Sequence, residues 1–100
     1  VNLREYQAQA ERTLNSGLPF REQLSMATLG LGGEAGEVQE LVKKALFHGT
    51  DLDRARVAEE LGDVLWYLSA LASTLGLSLD ELAQRNLDKL RARHPHGWGR

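Results

Sequence analysis

Cysteine is absent from the 100 residues of this chain. That excludes a disulfide framework and any thiolate metal site, and it fits a reducing cytoplasm. Long apolar runs are missing too: no stretch reaches the length needed to span a bilayer. No basic segment followed by an apolar stretch marks a secretory leader. A surplus of positive charge is also lacking. The formal net charge is −2, which argues against a general nucleic-acid binder, because such proteins neutralise phosphates with lysine and arginine. No internal repeat, low-complexity segment or period-two alternation of a strand can be found.

What is present is an ordinary globular balance, with 42% hydrophobic and 26% charged residues. A chain of this length makes one domain, spanning residues 1–100, and buries only a modest core alone. The pattern predicts four helices and an all-α fold. The first covers Leu3 to Leu14, with Asn2 as N-cap and Glu5 completing a capping box. Ser16, Gly17 and Pro19 then break the chain. The second runs from Phe20 to Phe47, where Leu24, Leu31, Val38, Leu41, Val42 and Ala45 recur at helical spacing. Gly30, Gly32, Gly33 and Gly36 weaken it, each by about 1 kcal/mol against alanine. They imply either close packing of another helix or space for a ligand.

The third helix begins at Asp51 or Asp53 as N-cap and ends at Leu75, with Gly76 positioned to terminate it. Val57, Leu61, Val64, Leu68, Leu71 and Leu75 form a core stripe. Leu65, Trp66, Ala70 and Ala72 extend the apolar surface around much of the helix. A helix apolar on most sides is buried on most sides, so a second subunit is expected against it, as a homodimer or homotetramer. The fourth helix starts at Ser78, again with a capping box to Glu81, and continues to Arg93. Short connections favour antiparallel neighbours, as in a four-helix bundle.

Two acidic motifs carry the chemistry. The second helix has Glu34-Ala35-Gly36-Glu37 and the third has Glu60-Leu61-Gly62-Asp63. Residues three apart share a helical face, so each motif projects two carboxylates together. Both pairs lie one residue from a core stripe. Packing those stripes brings all four carboxylates toward one pocket. Four such groups repel one another, and oxygen ligands of this kind suit Mg²⁺ or Mn²⁺. Solvated surface glutamates are the plainer reading of either motif alone. A di-iron carboxylate site would need a glutamate followed three residues later by histidine, and no glutamate here has that.

The stretches GEAGEVQELVKKALFHG, EELGDVLWYLSALA and NLDKLRARHPHGW resemble the MazG-type nucleotide pyrophosphohydrolases. These belong to the all-α nucleoside triphosphate pyrophosphatase superfamily, with dimeric dUTPases and phosphoribosyl-ATP pyrophosphohydrolase. The resemblance covers about residues 20 to 98. It implies that Glu34, Glu37, Glu60 and Asp63 bind Mg²⁺, with Mn²⁺ as a substitute, and that Glu37, Glu60 and Lys89 serve catalysis. It further implies that Asn86 contacts sugar or base, that Lys89 and Arg93 approach the phosphates, and that Tyr67 stands near the nucleotide.

Lys44 shares a stripe with Glu34, Glu37 and His48; it is either solvated or within reach of phosphate. Gly33 occupies the position where some relatives carry an additional glutamate as base. That leaves a cluster carboxylate or Glu59 for the role. The family's tail often reads R-Y-P-x-G-F, whereas here it is Arg93-His94-Pro95-His96-Gly97-Trp98, so the ring stacked near the site is expected to differ.

The reaction so implied is metal-assisted hydrolysis of a (deoxy)nucleoside triphosphate to monophosphate and pyrophosphate, clearing surplus or non-standard nucleotides. Phosphoribosyl-ATP as substrate is one alternative. A non-catalytic helical assembly using the carboxylates for metal-dependent association is another. No P-loop G-x-x-x-x-G-K-[ST] is present to support attack at the γ-phosphorus.

Overall fold

A computed structural model describes residues 1–99. It is all-helical across them, with α1 (Leu3–Glu11), α2 (Phe20–Phe47), α3 (Arg54–Thr74) and α4 (Leu79–Arg93). The caps explain most of the boundaries. Asn2 Oδ1 accepts from the Glu5 amide at 2.8 Å, and its own Nδ2 donates to Glu5 Oε1 at 2.9 Å. Asp53 caps α3 by accepting from the Arg56 amide, and Ser78 caps α4 by accepting from the Glu81 amide. Gly76 takes a left-handed φ of 70° just after α3, where a side chain would be strained.

The first helix stops at Glu11, short of the expected Leu14. The amides of Arg12, Thr13 and Leu14 bond to carbonyls three residues back, a tightened last turn. Thr13 ties that turn to α3: its hydroxyl donates to the Ala10 carbonyl and accepts from Trp66 Nε1 at 2.8 Å.

The long pair α2 and α3 forms the body of the molecule, and α1 packs on α3 and also touches α4. Gln7 clamps these pieces together. Its Nε2 donates to Ser73 Oγ and to the Leu77 carbonyl, while its Oε1 accepts from the Leu79 amide at 2.8 Å. The start of α4 is fixed in this way. The fourth helix does not pack along α2, so the four helices do not close into a bundle within one chain.

Little is buried. Among the described residues, Ala27, Ser69, Ala70, Ala72 and Leu79 are deeply buried. On α3 these are the small residues, whereas Leu61, Leu68 and Leu75 of the expected core stripe stand exposed. Small side chains let helices approach closely, and the leucines are left on the outside of that contact. The radius of gyration is 16.3 Å, against about 13 Å for a compact chain of this length. No helix among the described residues is long and apolar enough to cross a membrane.

Candidate metal centre

The register of α2 against α3 builds the site. Gly30 lies against the Tyr67 ring, and Glu37 lies within hydrogen-bonding reach of Glu60. Stepping back along α2 from Glu37 to Gly30 covers the same distance as stepping forward along α3 from Glu60 to Tyr67. The helices are therefore antiparallel and in step. The same register sets Glu34 opposite Asp63 and Ala27 opposite Ala70, the last two being the buried small residues. The pair is closed at the Ala27–Ala70 end and carries carboxylates toward the other.

Glu34, Glu37 and Glu60 each offer an oxygen, and these oxygens lie within 4.8 Å of one another. Asp63 stands outside this triad and is exposed, though its charge reaches Glu37. The carboxyl of Glu37 has its pKa raised above the ordinary glutamate value. Sharing a proton with Glu60 is the largest cause, followed by the negative charge of Glu60, desolvation and Asp63; Arg56 opposes the shift. One oxygen each of Glu34 and Glu60 is buried with no hydrogen-bond partner among the described residues. Buried polar atoms are nearly always satisfied. Two orphaned, converging carboxylate oxygens beside a third carboxyl fit a hard divalent cation, whose ligands are oxygens of this kind.

The remaining sequence-derived residues fall elsewhere. Tyr67 is half-buried between α2 and Trp66, whose ring meets it edge-on with centroids 5.0 Å apart. Asn86, Lys89 and Arg93 lie in the exposed second half of α4, and neither base is ion-paired with a cluster carboxylate. Lys44 and Glu59 are exposed and unpaired among the described residues. His94 leans on Trp98 at a 6.3 Å ring separation, in the turn after α4.

Two residues near the carboxylates escaped sequence reasoning. Arg56 sits one turn before Glu60 on the same stripe, and that spacing was a readable signal. Tyr6 comes from α1, and burial first, then the charge of Asp63, raise its phenol pKa. Nothing in the sequence of α1 links Tyr6 to α3. The four glycines of α2 also divide. A Cβ on Gly30 would collide with the Tyr67 ring, whereas Gly32, Gly33 and Gly36 face open space.

Residues 22–98 match the MazG nucleotide pyrophosphohydrolase domain. The chain is also similar to the Gene 37 protein of Mycobacterium phage L5, at 45% identity over 80 residues, covering 76% of this chain and 70% of that protein. No solved structure matches.

Proposed function

Because the chain belongs to the MazG nucleotide pyrophosphohydrolase family, we propose that it hydrolyses a (deoxy)nucleoside triphosphate to the monophosphate and pyrophosphate, with Mg²⁺ held by Glu34, Glu37 and Glu60. The observation that carries the metal is the pair of orphaned oxygens on Glu34 and Glu60 beside Glu37. Held there, Mg²⁺ would supply a water of lowered pKa and would neutralise phosphate charge. Asp63, across from Glu34 and outside the triad, completes the acidic rim and serves as a further ligand.

The chain's own groups divide the remaining work. Glu34, Glu37 and Glu60 would hold the cation where an anionic phosphate and a water can meet. Gly33 supplies no side chain, so the water's proton passes to a carboxylate of the cluster. Arg56 of α3 is a cation whose charge reaches Glu37, and it offsets charge on the anionic substrate at the open end. Lys89 and Arg93 stabilise charge that develops on the departing pyrophosphate, and Asn86 contacts the nucleoside. Tyr67 borders the nucleotide.

These last contacts require assembly. Within one chain α4 does not pack along α2, and its second half, with Leu87 and Leu90, is exposed. The chain exposes 7546 Å², where a compact monomer of its mass would expose about 5,700 Å². The excess surpasses the ~800 Å² that each partner contributes to a standard interface. Leu3, Leu65, Leu68, Leu79, Leu82 and Ala83 line an apolar groove of about 250 Å³ that a second copy fills. The chain acts as a homodimer or homotetramer, and a neighbouring copy's α4 brings Asn86, Lys89 and Arg93 to the carboxylates. Leu90→Lys should convert the assembly to monomer in light scattering and abolish turnover together. An active monomeric variant would rule the shared site out.

The test of the reaction is the position of bond cleavage. Hydrolysis in ¹⁸O-labelled water with Mg²⁺ should place the label in the monophosphate. Label found only in pyrophosphate would mean attack at the β-phosphorus, and diphosphate as first product would reject the pyrophosphohydrolase reading. Running phosphoribosyl-ATP beside common and modified triphosphates separates the sister activity.

A further inference from the structure

Gly30 poses a question that its own helix does not answer. Glycine inside a helix costs stability relative to alanine, and α2 carries it in the middle of a continuous helical run. At Gly32, Gly33 and Gly36 an added methyl would meet nothing within 4 Å. At Gly30 it would overlap Cε1, Cδ1 and Cζ of Tyr67. The ring therefore occupies the volume that a side chain at position 30 would need. It cannot easily swing away, because Trp66 meets it edge-on at 88°, and Trp66 is itself held by its bond to Thr13.

This contact has a special place in the register. It lies between the buried Ala27 and Ala70 and the carboxylates of Glu34, Glu37 and Glu60. Glu34 follows Gly30 by one turn on α2, and Asp63 precedes Tyr67 by one turn on α3. Whatever spacing the ring and the bare α-carbon enforce is passed directly to the next turn, where the carboxylates must converge. We propose that Gly30 is a positioning residue for the metal centre: by admitting the Tyr67 ring against α2, it sets the separation and register of α2 and α3 so that the three glutamate oxygens meet. This rests on the metal reading given above, and it adds a residue that touches neither metal nor substrate.

The experiment measures Mn²⁺ affinity by electron paramagnetic resonance, which is independent of turnover, in wild type, G30A, Y67A and G30A/Y67A. Circular dichroism reports whether each variant is helical. Removing a group that orients ligands weakens metal binding by roughly tenfold or more, and G30A should do so although alanine favours the helix. In the Y67A background the added methyl meets no ring, so G30A/Y67A should bind Mn²⁺ as Y67A does. G32A serves as the control for helix propensity and should bind as wild type. Unchanged affinity in G30A, or an equal G30A penalty with and without the Tyr67 ring, would overturn the role of Gly30 alone. Wild-type protein that takes up no Mn²⁺ would instead sink the metal reading and this inference with it.

Discussion

The two ends of the α2–α3 pair are built from opposite materials. At one end Ala27 and Ala70 are buried, Gly30 admits an aromatic ring, and Gln7 ties α1, α3 and α4 together. At the other end three glutamates converge, two of them, Glu34 and Glu60, with an unsatisfied buried oxygen, and the neighbouring glycines face open space. The first end gains stability from close packing and from the hydrogen bonds of Gln7, although the buried Ser69 hydroxyl finds no partner among the described residues. The second end gives stability up, because like charges are held together with only Arg56 acting against their repulsion at Glu37. Crowding of like charges is confined to the acidic end, and the proposed metal site rests on that departure from local folding rules.

The sharpest way to break this contrast is to change one carboxylate. Glu60→Gln keeps the size of the side chain and removes a ligand charge. If metal contributes several kcal/mol to the transition state, pyrophosphate release should fall by roughly 10²–10³-fold. Helicity and thermal stability should be kept. Full activity with unchanged Mg²⁺ dependence would refute the ligand role of Glu60.

The packed end should respond in the opposite way. Ala70→Leu inserts bulk into a contact where Ala70 is only 5% exposed and the facing Ala27 is fully buried. Overpacking of this kind costs about 1–3 kcal/mol, which lowers Tm by roughly 4–8 °C for each kcal/mol in a domain this small. The folded fraction should retain more activity than Glu60→Gln does. A Tm equal to wild type would show that the two helices are not in close contact there.

The same contrast explains what the sequence could reveal. Caps are local, so Asn2, Asp53, Ser78 and Gly76 could be read from neighbouring residues. The carboxylate stripe was legible because a three-residue spacing fixes a helical face wherever the helix packs. The Gly30–Tyr67 contact was not legible, because it depends on the relative register of two helices, and four glycines in one helix looked alike. Tyr6 was hidden for a similar reason: the packing of α1 on α3 joins residues far apart in sequence. The leucines of α3 misled. Their periodicity marks an apolar face but does not say whether that face meets this chain or another. Short connections suggested a four-helix bundle-like fold; the four helices are there, but Gln7 holds the start of α4 against α1 and α3, and within one chain α4 does not lie along α2.

The smallest effect expected is also the one whose sign is least intuitive. Glu37 binds its proton more tightly in the folded, metal-free protein than a free glutamate does, chiefly because of Glu60. A group with a raised folded-state pKa favours folding most at low pH, below its unfolded value. That advantage is lost as pH rises through the window from the ordinary glutamate pKa to the raised one. Above the window the deprotonated cluster carries its full repulsion. Glu37→Gln cannot ionise, so it should lose this part of the pH dependence. In the presence of a chelator, the Tm of the variant minus that of wild type should become more positive between acidic and neutral pH. Mg²⁺ should then narrow the gap, because the cation offsets the repulsion in wild type and the variant has one ligand fewer. Thermal melts across that pH range, with and without Mg²⁺, check both signs. A difference in Tm that stays flat with pH would show that Glu37 and Glu60 do not share a proton, and that the acidic end is less strained than its geometry implies.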